Sequence, residues 1–98
     1  MKSTTTLLAS ILAFAVGAAV GDNCNVPLIY CGHSLIAKGK YQPQIDQCLF
    51  DNNHPTLDNG QSVLFGCIGG TNGVIQFLQD CGTGRCMDNG NGKNDTCF

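Results

Sequence analysis

Seven cysteines, Cys24, Cys31, Cys48, Cys67, Cys81, Cys86 and Cys97, crowd the last 75 residues of a 98-residue chain. Such density marks either a disulfide scaffold or a metal module. The intervals of 7, 17, 19, 14, 5 and 11 contain no C-x-x-C pair, and neither His33 nor His54 stands at finger spacing from two cysteines. The expectation is therefore a stapled domain with no metal and no cofactor. An odd count leaves one thiol over. Any of the seven could be the odd one, and six cysteines can pair in many ways, so spacing alone leaves the connectivity open.

Cys48 is the expected odd thiol. It lies in Ile45-Asp46-Gln47-Cys48-Leu49, where Ile45, Cys48 and Leu49 fall on one helical face at i, i+3 and i+4. A free cysteine packs there as a small hydrophobe. The competing expectation is an exposed Cys48 that bridges two molecules. Otherwise the protein is expected to be a monomer, with Cys24, Cys31, Cys67, Cys81, Cys86 and Cys97 in disulfides.

None of these cysteines falls in the first 21 residues, which read as an export signal. Lys2 supplies the positive start, the ten residues 7–16 an apolar stretch too short for a comfortable membrane span, and residues 17–21 a run of small side chains. The signal is taken as residues 1–19, with cleavage as late as residue 21 as the alternative. Residues 20–98 are then one secreted cysteine-rich domain. Its expected location is extracellular, in an oxidising space where thiols pair.

Charge narrows the partners. From Asp22 onward Lys38, Lys40, Arg85 and Lys93 face seven aspartates, a net charge of −3, and the chain has no glutamate. Four scattered cations cannot form the basic stripe that nucleic acid requires, nor the basic amphipathic face that anionic membranes attract. No nucleic-acid or membrane partner is expected.

A coarse reading along the chain predicts a small α+β domain: two short helices packed on a β-hairpin, with an N-terminal strand able to extend the sheet. Pro27 confines the stretch around Val26–Tyr30 to an edge strand or an extended lead-in. His33–Lys38 fits one to two helical turns, with Gly39 placed for a left-handed cap, and Pro43–Phe50 a second helix. Residues 51–60 are turn chemistry. Two apolar runs, residues 62–68 and 74–78, flank Gly69-Gly70-Thr71-Asn72-Gly73 and predict the hairpin. Both runs are apolar on successive residues, so each sheet face should be covered, one by the helices and one by loops or a neighbouring strand. Phe50, Phe65 and Phe77 are expected in the core. The Gly/Asn-rich tail after Asp80 should be ordered only through its cysteines.

Chemistry is sparsely signalled. His33 and His54, with Arg85 or Lys40 holding phosphate, would make a ribonuclease-like pair, but no spacing links them and ordinary structural use is the stronger reading. There is no G-x-S-x-G and no activated C-x-x-C. Residues 88–95 look like a calcium loop yet lack its closing glutamate and correct glycine position. Asn94-Asp95-Thr96 is the one N-x-[ST] sequon, making Asn94 a glycosylation candidate. Only Tyr30 and Tyr41 are amphipathic rings suited to stacking on sugars. No catalytic residue is expected.

Larger pieces of the chain resemble a known group. Residues 30–41, Tyr-Cys-Gly-His-Ser-Leu-Ile-Ala-Lys-Gly-Lys-Tyr, then residues 64–77, Leu-Phe-Gly-Cys-Ile-Gly-Gly-Thr-Asn-Gly-Val-Ile-Gln-Phe, the close Cys81 and Cys86, and a Gly/Asn-rich run to Cys97 are similar to small secreted cysteine-rich proteins of filamentous, often plant-associated, fungi. The resemblance covers most of residues 22–98. It implies six recurring cysteines, with a small apolar residue usually at the position of Cys48. It further implies a candidate virulence effector acting on or around a host, with no enzymatic activity and no defined ligand residues. The expected function is a secreted, non-enzymatic, effector-like interaction protein whose partner is a host or extracellular macromolecule. A killer-type toxin or antimicrobial protein is the alternative, and a ribonuclease-like hydrolase a more distant one.

Overall fold

The computed structural model describes residues 23–98, so the segment read as an export signal lies outside the described residues. In chain order the elements are β1 (Ile29–Cys31), α1 (Gly32–Lys38), α2 (Gln42–Asp51), a 3-10 turn (Leu57–Gly60), β2 (Val63–Gly69), β3 (Val74–Asp80), β4 (Cys86–Met87) and β5 (Thr96–Cys97). This is a mixed α+β fold. β1, β2 and β3 form an antiparallel sheet with β2 in the centre, and β4 pairs antiparallel with β5 in a second, two-stranded sheet.

The run of successive apolar residues in β2 is explained by two covered faces. On one side Val63, Phe65 and Cys67 pack with Leu35 of α1, Ile45 and Leu49 of α2, and Tyr41 between the helices. On the other, Leu64 packs with Cys31 and Cys86, flanked by Ile29, Cys81 and Cys97. The second layer is therefore the C-terminal tail itself, held on the sheet by sulfur. Three disulfides join Cys24 to Cys67, Cys31 to Cys86, and Cys81 to Cys97, and Cys48 is unpaired.

Helix α2 follows its apolar stripe: Pro43 sits in the first turn, Ile45 and Leu49 are fully buried, and Cys48 is half-buried. Three expectations are corrected. Both faces of β3 are expected to be covered, yet Val74 and Leu78 are 47% and 43% exposed, because the tail packs on Leu64 of β2 and on β1 rather than on β3. Gly39 ends α1 in an extended conformation (φ −165°), not a left-handed one, and its N–H closes the helix on the Leu35 carbonyl at 3.0 Å. Phe50 is 76% exposed rather than in the core, because it falls off the Ile45–Cys48–Leu49 stripe. Phe65 is buried and Phe77 half-buried.

Gly73 (φ +60°) completes the β2–β3 turn, and a side chain there would run into the Tyr41 hydroxyl. Gly32 has a different reason to be glycine. It starts α1 against the backbone of the 3-10 turn, where a Cβ would overlap the Gly60 carbonyl oxygen. Backbone cannot swing aside as a side chain can. Gly32→Ala is expected to cost about 3 kcal/mol, the upper end of overpacking effects, and to lower the urea midpoint without changing its slope.

Candidate functional site

The tail does more than cover the sheet. Between residues leading from β1 into α1 and the loop of residues 88–95 lies a cleft of about 450 Å³. One wall carries Leu28, Tyr30, Ser34 and Lys38; the opposite wall is backbone and side chains of the loop, with Asp88, Asn91 and Lys93.

Asp95 holds the loop in place. Its carboxylate is 4% exposed and accepts the Cys31 N–H on Oδ2 at 2.9 Å and the Asn89 N–H on Oδ1 at 3.0 Å. Its own N–H donates to the Ile29 carbonyl at 2.9 Å. Beside it Asn94 Oδ1 accepts the Ile29 N–H at 3.0 Å, while Asn89 Nδ2 donates to the Asn94 carbonyl and to Thr96 Oγ1. The sequon is thus part of the stitching between tail and β1, with Asn94 itself exposed. Asp88 Oδ1 accepts the Gly90 N–H at 2.8 Å, turning the loop. Backbone amides thus occupy the carboxylates that a calcium-loop reading would have aimed at an ion.

Both lysines of the cleft lack an ion-pair partner, since the one ion pair among the described residues joins His54 to Asp80. Ser34 Oγ is enclosed and has no hydrogen-bond partner. Tyr30 lies at the cleft with its hydroxyl accepting the Asn25 N–H at 2.9 Å. Tyr41, the other ring suited to a sugar, is fully buried and accepts the Cys24 N–H at 2.8 Å, so it cannot face a ligand. Burial pushes its hydroxyl above the ordinary tyrosine range, against the pull of that amide.

The two histidines have separate surroundings. His33 Nε2 donates to the Cys86 carbonyl at 3.0 Å. Its ring and the Cys31 and Cys86 sulfurs lie within 4.8 Å of one another, but the sulfurs are bonded to each other and offer no thiolate to a metal. His54 Nε2 donates to Asp80 Oδ2 at 2.9 Å, with its ring 5.0 Å from that of Phe77. The Gly82 N–H, and after it His54, hold the Asp80 carboxyl below the usual carboxylate range. Its folded-state pKa is depressed. The stabilisation is then fully present above the unfolded value of about 4 and disappears as pH falls from there through the folded pKa. Asp80→Asn should flatten the acid limb of the stability–pH curve below about pH 4, measured by urea unfolding at stepped pH. Arg85, the imagined phosphate holder, is committed to the C-terminal residue: its Nε donates to the Phe98 carbonyl at 2.6 Å and its guanidinium lies 5.4 Å from the Phe98 ring centre.

A second groove, about 380 Å³, runs between α2 and β3 and has Cys48 in its lining. Burial pushes the Cys48 thiol up, against a smaller pull from the Phe77 backbone amide. Thiol reagents should therefore label native protein slowly at neutral pH, faster as pH rises, and at Cys48 alone. Mass mapping of the label checks this, and rapid labelling at neutral pH would contradict the burial argument.

Compared with family models, curated proteins and solved structures, the chain matches none. Sequence reasoning missed the cleft and its keystone. Nothing in a tail with aspartates at both ends of a Gly/Asn run distinguishes Asp95, which turns inward, from Asp88, which stays out.

Proposed function

We propose that this protein is a secreted, non-enzymatic, effector-like interaction protein that binds a host or extracellular macromolecule through the cleft between α1 and the 88–95 loop. The three disulfides suit an oxidising, extracellular setting. The signal-like residues 1–19 and the fungal resemblance add the route and the host context. The carrying observation is the preformed cleft, whose loop wall is fixed by Asp95 and by the bridges at Cys86 and Cys97. A recognition loop ordered before contact avoids the ordering cost that weakens flexible binders. The half-buried Cys48 favours a monomer over a disulfide-linked dimer.

The test uses oxidised, folded protein exposed to host extracellular fluid, beside a Lys38→Glu/Lys93→Glu variant with the same disulfides. A macromolecule retained by the native protein and lost by the variant is the expected result. If the native protein retains nothing, and a strain lacking the gene colonises its host normally, the reading is abandoned.

A further inference from the structure

The chemistry lining the cleft restricts what it can hold. Lys38 and Lys93 face Asp88 and Asp95, so the formal charges cancel and no ion of either sign is drawn in by net charge. The Asp95 carboxylate is already occupied by two backbone amides. What remains open is a mixture: ammonium donors on both lysines, one oxygen of Asp88, and the Asn25 and Asn91 side-chain amides. Tyr30 and Leu28 add apolar surface within the same cleft.

A ligand that suits this lining carries many groups able to donate and accept at once, bears no net charge, and has an apolar face. Hydroxyl groups have that dual capacity, and a pyranose ring presents them around its rim while its C–H face is apolar. The volume, about 450 Å³, lies within the usual range for small-ligand sites, roughly 300–1,000 Å³.

We infer that the cleft is a carbohydrate site for a short, uncharged oligosaccharide. Tyr30 and Leu28 take the apolar face of one ring, and Asp88 and Asn91 take its hydroxyls. The inference rests on the interaction-protein reading and specifies its ligand.

The experiment is an amide NMR titration of the oxidised chain, produced without a glycan on Asn94 so that no attached sugar competes. The probes are chitotetraose and cellotetraose as neutral sugars and tetragalacturonate as a charged one. The expected result is saturable shifts confined to residues 28–38 and 88–95 with a neutral probe, insensitive to salt. Asp88→Asn, which keeps an oxygen to accept the Gly90 N–H, and Asn91→Ala, both on the exposed loop, should each weaken that binding about tenfold, the equivalent of one lost hydrogen bond. Their unchanged spectra elsewhere would show that the fold is intact. Binding of tetragalacturonate alone, weakened by salt, overturns the inference in favour of an anion site. Silence with every saccharide, combined with shifts of the same amides by a host polypeptide, overturns it while leaving the interaction reading in place. Silence with all of them removes both.

Discussion

In strong dithiothreitol the protein will lose its far-ultraviolet signature and its cooperative melt. The bridges close sequence separations of 43, 55 and 16 residues. By the chain-entropy model they restrict the unfolded state by about 4, 4 and 3 kcal/mol. Their sum is comparable with the entire net stability of a small domain, about 5–15 kcal/mol. Against it stand few large side chains that are fully enclosed: Leu35, Tyr41, Ile45, Leu49 and Phe65. The largest single effect should come from Cys31→Ala/Cys86→Ala, since that bridge ties β4 to β1 and carries the tail onto the outer face of the sheet. A loss of about 4 kcal/mol corresponds to a drop of roughly 20 °C in Tm. Calorimetry on the oxidised and reduced forms decides the matter; an unaltered spectrum and Tm after reduction would show that apolar packing alone suffices.

Asp95→Ala should be the most damaging change that leaves every sulfur untouched. It strips the acceptor from the Cys31 N–H, whose residue is fully buried, and from the Asn89 N–H that shapes the loop. Hydrogen bonds to a charged group contribute about 1.5–3 kcal/mol each, and an orphaned buried donor costs more than an absent pair. A destabilisation of about 4 kcal/mol is expected. Asp95→Asn keeps one acceptor and should recover about half of it. Hydrogen exchange gives the sharper readout: in Asp95→Ala the amides of Cys31 and of residues 88–97 should exchange far faster while those of β2 and β3 stay protected. Uniform acceleration throughout would mean that the tail is not a separable layer.

The parts of the fold legible in the sequence are those where local pattern and burial coincide. The i, i+3, i+4 stripe of Ile45, Cys48 and Leu49 gave α2 and its buried face. Pro27, ahead of a short apolar run, pointed to an edge strand, and β1 is one. Successive apolar residues in both hairpin strands predict cover on each face; β2 has it at residues 63–65, but β3 does not, with Val74 47% and Leu78 43% exposed. Phe50 shows where residue type misleads: its ring suggests a core position, but its place on the helical wheel is the better guide. The cleft was illegible for a different reason. Its walls are far apart in sequence and meet only because a polar tail folds back on sulfur bonds and one inward aspartate. Hydrophobic periodicity cannot reveal an arrangement that hydrophobic burial does not drive.

The three bridges have one more property, visible from their end points alone. Cys24–Cys67, Cys31–Cys86 and Cys81–Cys97 overlap in series, so every peptide bond from residue 24 to residue 97 lies inside at least one covalent ring. A single nick by an extracellular protease, for instance in the exposed stretch at residues 51–53, therefore leaves both pieces of the chain joined. Release of a fragment takes a second cut or a reductant, which gives the molecule durability in a digestive environment that its modest core alone would not provide.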